Sequence, residues 1–168
     1  RSTPIRSSAA SDVYKRQGAA ELVDRFPFAA SASGTDIGNI DGFNPGAVKY
    51  MGSASSSTTA YIMGGMPYRN MIEKMPFASD GSTADAGADL LNPSYLGNGN
   101  SSETHGYYAG GYIGPPGAVV NVIQKFPFAV EDNATDVGDL TTIRGNMAGS
   151  NSNTHGYVHG GQTPGPTG

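Results

Sequence analysis

The chain has 168 residues, with a formal net charge of −4, 25 glycines, 11 prolines and neither cysteine nor tryptophan. The lack of cysteine excludes a disulfide framework, a thiolate metal site and a cysteine nucleophile. So much glycine and proline argues against a helical bundle, and because no run of about 18 apolar residues is present, no membrane insertion is expected.

Residues 1–17 differ in composition from the rest of the chain, since they hold four of the ten basic residues and one acid. The stretch from Ser7 to Gln17 resembles the in-frame translation of a transposase-based sequencing adapter, and Arg1 to Thr3 resemble its flanking arm, so residues 1–17 are expected to be an artefact. They lack the apolar centre of a signal peptide, and a basic arm that binds nucleic acid is the alternative. From residue 18 onward there are 6 basic and 13 acidic residues, a net charge of −7, which disfavours a nucleic-acid partner.

From residue 18 onward the sequence repeats with a period of about fifty residues. Residues 22–29 read Leu-Val-Asp-Arg-Phe-Pro-Phe-Ala, and similar stretches recur at 71–78 and 122–129, at offsets of 49 and then 51. An Asp-x-Gly triplet and a segment ending in paired glycines also recur. The repeated positions are Phe28, Phe77 and Phe128 in the first element, Asp36, Asp85 and Asp136 in the triplet, and Gly64 with Gly65, Gly110 with Gly111 and Gly160 with Gly161 in the third.

The repeated elements are short and bounded by Gly, Asn, Ser or Pro, which favours β-strands over helices. The paired glycines allow positive φ at a sharp turn, and the proline between the two phenylalanines is expected at a strand end or bulge because it cannot donate to a ladder. Phe126 and Phe128 should face one side and fill the space between neighbouring sheets. Tyr61, Tyr107 and Tyr157 recur and are expected to be packing residues with their hydroxyls bonded.

These marks resemble the Kelch family of β-propellers: an apolar strand that ends in Gly-Gly, a following strand with an apolar or aromatic core, and a period near fifty. The resemblance covers residues 18–168. Kelch repeats usually carry a tryptophan in the last strand and this chain has none, which leaves other propellers open, including regulator-of-chromosome-condensation-like repeats. The amino-acid sequence of the repeats is also similar to that of repeat proteins from marine metagenomes, some of which are phage tail or fibre proteins.

The resemblance implies an all-β fold: a β-propeller fragment with about three blades' worth of four-stranded antiparallel sheets. In the Kelch strand order, residues 20–40 give the last two strands of one blade, 44–90 and 92–140 give two whole blades, and 143–161 give the first two strands of another. A propeller closes with about 4 to 8 blades, so this piece should not form a closed ring. Its two ends should expose unpaired edges and apolar blade faces, which the remaining blades of the same parent chain would cover as partners.

No catalytic set, metal site or cofactor is predicted from the sequence. His105 and His155 recur in phase and His159 follows Tyr157, and structural or solvated roles are preferred for all three. The Asp-x-Gly triplets lack the flanking residues of the Asp-box of sialidase-type propellers, so each aspartate is expected to cap its own turn. Calcium at these loops is a minor alternative. The copper site of the galactose oxidase type needs a cysteine.

The remaining candidates for function lie in the loops, where propellers place their contacts. The resemblance places the second-to-third and fourth-to-first strand loops on one face, and tyrosine and arginine are the residue types that anchor interfaces. The candidate binding residues are Phe43, Tyr68, Arg69, Tyr95, Tyr112 and Arg144.

We therefore expect a non-enzymatic binding or structural module that contacts protein or glycan, in an extracellular or virion-associated setting. The alternative is the propeller domain of a larger secreted carbohydrate-active enzyme, with its catalytic residues outside this chain. A third possibility is an extended array of repeats that does not close.

Overall fold

The structure is a computed structural model, and it describes residues 21–29, 31–40, 48–114 and 117–164. The described residues form short strands joined by turns, and they include no helix that is long and apolar enough to cross a membrane. The strands are β1 (Leu22–Arg25), β2 (Thr35–Asn39), β3 (Gly52–Ser55), β4 (Thr59–Met63), β5 (Arg69–Pro76), β6 (Ala84–Tyr95), β7 (Asn98–Ser101), β8 (His105–Ile113), β9 (Ala118–Pro127), β10 (Thr135–Asp139), β11 (Ala148–Asn151) and β12 (Gly156–His159).

Within each blade consecutive strands pair antiparallel, which gives two four-stranded blades, joined into one eight-stranded sheet, and two separate pairs of strands. Half-blade 1 is β1 with β2, blade 2 is β3 to β6, blade 3 is β7 to β10, and half-blade 4 is β11 with β12. Hydrogen bonding also continues from blade 2 into blade 3, where Ser94 and Tyr95 at the end of β6 oppose Ile113 and Tyr112 of β8. The chain is therefore an all-β propeller-like fragment that does not close into a ring, as the repeats predict.

The first strands of successive blades lie against one another, β3 against β7 and β7 against β11. Glycine makes this possible. A Cβ added to Gly99 would collide with the backbone of Ser53, and one added to Gly149 would collide with the side chain of Asn98. The small-residue character of these strands thus follows from the crowding of the innermost strands, as in a propeller.

The largest core lies between blade 2 and blade 3. Phe126, on β9 of blade 3, is buried, and its ring meets that of Tyr61 on β4 of blade 2 at a centroid distance of 5.4 Å. Phe128 stacks on the same tyrosine at 4.7 Å with an interplanar angle of 14°. The two phenylalanines therefore fill the space between adjacent blades, which confirms the expectation from their spacing.

The paired glycines adopt left-handed backbone conformations in all three repeats. The first glycine of each pair has a φ near +60° (63°, 60° and 62°), and the second has a φ of 113°, 95° and 103°, in Gly64 with Gly65, Gly110 with Gly111 and Gly160 with Gly161. Side chains other than glycine rarely adopt such values, so the sequence prediction of positive φ is confirmed. The predicted proline position is also confirmed, because β5 ends at Pro76 and β9 at Pro127.

The Asp-x-Gly triplets lie inside strands and not in loops. Each aspartate accepts a hydrogen bond from the glycine N–H two residues later, at 3.2 Å from Asp36, 2.8 Å from Asp85 and 3.0 Å from Asp136. The pairing register of the neighbouring strand shifts at each of these places. The expected side-chain cap is present, and it stabilises a β-bulge in the outermost strand of the blade.

The three recurring tyrosines are not equally buried. Tyr61 lies in the core, Tyr107 is half-buried and Tyr157 is exposed. The fully buried tyrosine of blade 3 is Tyr108, whose hydroxyl oxygen accepts a hydrogen bond from the N–H of Gly97 at 3.0 Å. The predicted packing role is therefore met by Tyr61 but not by Tyr157, because the blade that follows covers Tyr61 and no described blade follows half-blade 4.

Candidate binding surface

The turns that begin at the paired glycines and the connections between blades lie at one end of the sheets, which we call the connection face. It is tied together by backbone hydrogen bonds that repeat in phase. The N–H of Gly65 donates to the carbonyl of Ser94 at 2.7 Å, and that of Gly111 donates to the carbonyl of Arg144 at 2.9 Å. The N–H of Gly114 donates to the carbonyl of Pro93 at 3.1 Å. The two loop classes named from the sequence therefore do share one face.

Three of the predicted residues form one aromatic cluster on the connection face. The rings of Tyr68 and Tyr95 meet edge to face, with centroids 5.2 Å apart and an interplanar angle of 86°. Tyr112 lies on the other side of Tyr95 at 5.2 Å, tilted by 31°. All three side chains are half-buried. We call them the tyrosine cluster, and they bring three separate segments of the chain to one place.

The hydroxyl at the centre of the tyrosine cluster is harder to ionise than a free tyrosine. Burial raises the pKa of Tyr95, and the neighbouring Tyr68 raises it further. Tyr95 therefore stays protonated to a higher pH than a free tyrosine does, and it presents a neutral hydroxyl next to apolar ring surface. Such a surface suits contacts that combine apolar area with hydrogen bonding.

Two arginines border the tyrosine cluster. Arg69 opens β5, where it opposes Ser94, the residue before Tyr95. Arg144 precedes Gly145, and a Cβ added to Gly145 would lie 2.6 Å from the ring of Tyr112. The guanidinium of Arg144 donates from Nη1 to the carbonyl of Gly160 at 3.0 Å, and its buried Nε has no hydrogen-bond partner among the described residues.

The structure thus brings five of the six predicted residues to the same face, while Phe43 lies outside the described residues. Several of them are not in loops as expected, since Arg69 and Tyr112 belong to strands and Tyr95 ends one. The reason is that β6 continues past residue 90 to Tyr95 and pairs there with β8.

The histidines take part in local hydrogen bonds. Thr104 Oγ1 lies 2.8 Å from His105 Nδ1, and Thr154 Oγ1 lies 2.9 Å from His155 Nδ1, so the recurring pair forms the same hairpin contact in two blades. His159 Nε2 lies 3.0 Å from Ser150 Oγ on the neighbouring strand. Across the ranges that the structure describes, no group of three or more histidine, aspartate or glutamate side chains is placed to hold a metal ion.

Two buried polar arrangements were not foreseen from the sequence. Glu73 is buried, and its Oε2 accepts a hydrogen bond from the hydroxyl of Thr83. Asn98 and Asn100 are buried on β7, where Nδ2 of Asn98 donates to Oδ1 of Asn100 at 2.7 Å. The alternation Asn-Gly-Asn was the available signal for the second, because residues two apart share one face of a strand.

Comparison of the sequence with models of known protein families gives no match, and comparison with curated proteins gives none either.

Proposed function

We propose that this chain is a non-enzymatic module of a Kelch-like β-propeller that binds a macromolecular partner, protein or glycan, through its connection face. The observation that carries the proposal is the tyrosine cluster. Tyr68, Tyr95 and Tyr112 come from separate segments and gather where the backbone is held by repeated hydrogen bonds. Tyrosine and arginine supply most of the binding energy at many interfaces, and here both types adjoin.

The rigidity of the surface supports the same function. A side chain that is already packed loses little rotational freedom on binding, so a preformed cluster binds at a lower entropic cost than mobile side chains do. Tyr95 is held on both sides by aromatic rings. The fifty-residue repeat is found in the strands of the blades and not in the tyrosine cluster, so the loops can differ while the blades remain alike.

The test measures binding of the full chain to two sets of probes, which are a glycan array and a displayed library of random peptides. The double variant Tyr68→Ser with Tyr112→Ser should lower the affinity for the selected probe by at least about tenfold, which corresponds to about 1.4 kcal/mol. The matched control is Val130→Ser, because Val130 is 55% exposed and lies in the hairpin between β9 and β10 at the opposite end of blade 3.

Each result decides the proposal. Loss of binding in the double variant, with binding unchanged in the control, supports the connection face. A probe that binds both variants as well as the parent chain places the contact elsewhere, and absence of binding to either set of probes rejects the function as stated.

A further inference from the structure

The contact between blade 2 and blade 3 has three parts. Tyr61 of blade 2 projects between Phe126 and Phe128 of blade 3. Beside it, Lys74 Nζ of blade 2 lies 2.8 Å from Glu131 Oε1 of blade 3. Tyr61 is also opposite Lys74 in the pairing of β4 with β5. The contact therefore joins a tyrosine on the second strand of one blade to two apolar side chains and an acid of the next.

Half-blade 1 and blade 2 repeat this contact, with one part missing among the described residues. Arg25 Nη1 lies 2.5 Å from Asp80 Oδ1, in phase with the ion pair of the next contact. A cavity of about 250 Å³ lies beside this pair. Its apolar lining is supplied by Phe26, Phe28, Ile37, Met75 and Phe77. Met75 and Phe77 are the equivalents of Phe126 and Phe128, but no tyrosine is among the residues that line this cavity.

Half-blade 4 carries the complementary feature. Tyr157, the equivalent of Tyr61, is 48% exposed. In the described sheets, strand β12 pairs only with β11, just as β1 pairs only with β2. Half-blade 4 consists of the first and second strands of a blade, and half-blade 1 consists of the third and fourth.

We propose that β12 of one copy of this chain pairs with β1 of a second copy, so that the two half-blades form one four-stranded blade and Tyr157 enters the cavity beside Arg25. The register follows from the two complete blades, in which Tyr61 opposes Lys74 and Tyr107 opposes Lys125. In the same register Tyr157 opposes Arg25 and Val158 opposes Asp24.

A second apolar contact forms in the same step. Phe28 is 97% exposed and Phe26 is also exposed, although their equivalents in blade 3 cover Tyr61. With the two half-blades joined, Phe26 and Phe28 of the second copy lie over Tyr107 of the first, as Phe126 and Phe128 lie over Tyr61. A second copy fits as the occupant because one chain carries both halves of a contact that it already makes internally.

In this pairing the last strand of one copy joins the first described strand of the other. When each of two copies makes this contact with the other, the two copies form a closed ring. The described residues of two copies hold four whole blades and two joined ones, six in all, which is within the range of about 4 to 8 blades found in closed propellers. A closed ring leaves neither half-blade without its missing strands, whereas an open series would leave one incomplete blade at each end at every length.

The test measures the mass of the full chain in solution by sedimentation equilibrium. We expect a species of twice 17.2 kDa that dissociates on dilution. Because the closed dimer contains this contact twice, Tyr157→Ser should raise its dissociation constant about 1,000-fold, the effect of losing two aromatic anchors of about 2 kcal/mol each. Val130→Ser is the matched control, since Val130 is similarly exposed but lines the contact of blade 3 with blade 2 of its own chain and lies outside the joined blade. Far-ultraviolet circular dichroism of diluted Tyr157→Ser shows whether the single chain is still folded.

A second measurement tests the register directly, because the chain has no cysteine of its own. Chains with Val158→Cys are mixed with chains with Asp24→Cys and oxidised. Residues directly opposite each other in an antiparallel pair have Cα atoms about 4.5 to 5.5 Å apart, within disulfide reach. Thr35→Cys replaces Asp24→Cys in the control. Because β2 lies one strand farther from β12, the Cα atoms of residues 158 and 35 would be about 10 Å apart, too far for a disulfide.

A disulfide in the first mixture and none in the control supports the proposal. It is overturned by a mass of 17.2 kDa at every concentration, by a dissociation constant unchanged in Tyr157→Ser, by equal cross-linking in both mixtures, or by an open series of masses above two copies.

Discussion

The backbone N–H of Leu96 donates to the carbonyl of Tyr50 at 2.9 Å, and both residues have a left-handed backbone, with φ of 57° and 66°. Asn146 continues the series, because its N–H donates to the carbonyl of Leu96 at 2.7 Å and its φ is 57°. The three residues precede the first strands of blade 2, blade 3 and half-blade 4. One blade is thus hydrogen-bonded to the next through a residue in an unfavourable conformation.

The left-handed conformation of these residues predicts opposite effects on stability when Tyr50 is replaced by asparagine and when Asn146 is replaced by tyrosine. Asparagine tolerates the left-handed region far better than tyrosine does, and both Tyr50 and Asn146 are exposed. Tyr50→Asn should raise the free energy of unfolding by about 1 kcal/mol, and Asn146→Tyr should lower it by about as much. Urea unfolding measures both, and changes of the same sign would contradict the conformational cause.

The paired glycines predict a graded effect of alanine. Gly110 and Gly160 have nearly equal φ, but a Cβ on Gly110 would lie 2.6 Å from the carbonyl oxygen of Arg144, whereas a Cβ on Gly160 meets no heavy atom within 4 Å. Gly160→Ala should cost about 1 kcal/mol from the conformation alone. Gly110→Ala should cost at least about 2 kcal/mol more, because the blade connection must move.

These two variants are compared by urea unfolding at a concentration that keeps the chains single. Equal losses would show that the glycines are required only for their φ. A larger loss for Gly110→Ala shows that the pair is also required for the close approach of the next blade.

Burial of Tyr108 predicts that the fold is sensitive to alkaline pH. Burial raises the pKa of Tyr108 above the value of about 10 of a free tyrosine, so the folded state favours the protonated hydroxyl. The resulting stability is fully present below pH about 10 and is lost as the pH rises through the folded pKa. The melting temperature should therefore hold up to pH about 9 and then fall.

Tyr108→Phe separates this effect from general alkaline damage. It removes the ionisable group and also the acceptor of the Gly97 N–H, so it should lower stability at pH 7 by about 1 to 3 kcal/mol. The fall above pH about 9 should become shallower, with Tyr95 contributing to what is left because its pKa is also raised. An unchanged slope would show that Tyr108 ionisation is not the cause.

The sequence was sufficient where a feature depends on local chemistry. Positive φ at Gly64 or Gly110 follows from the residue type, and the hydrogen bond from the N–H of Gly87 to Asp85 follows from the short side chain, although its place in a bulged strand was not predicted. The strand count and the open ends follow from the period of the repeats, which needs no knowledge of packing.

Features that depend on both faces of a sheet could not be predicted from the sequence. Tyr107 and Tyr108 are adjacent and face opposite sides, and since neighbouring blades cover both sides, the sequence does not indicate which tyrosine is fully buried. The tyrosine cluster depends on β6 running through Pro93, where a proline predicts that the strand ends. The junction of β6 with β8 brings Tyr95 beside Tyr112, and no local pattern indicates it.

The buried asparagines of β7 predict how half-blade 4 is held. Asn100 Nδ2 donates to the carbonyl of Ser150 on β11 at 2.8 Å, and its Oδ1 accepts from Asn98. Asn100→Ala removes both bonds and leaves buried polar groups without these partners, at a cost of about 1 to 3 kcal/mol. Because the broken contact joins blade 3 to half-blade 4, the substitution should destabilise mainly half-blade 4.

Hydrogen exchange measures this effect strand by strand. Amides of β11 and β12 should exchange at least about tenfold faster in Asn100→Ala, while those of β4 stay within about twofold of the parent chain, since β4 is held on both sides by strands of blade 2. Asn121→Ala is the matched control, because Nδ2 of Asn121 donates to the carbonyl of Leu140 inside blade 3 at 3.4 Å. Equal acceleration of β4 and β12 in Asn100→Ala would mean that the two blades unfold as one unit, and that β7 does not hold half-blade 4 independently.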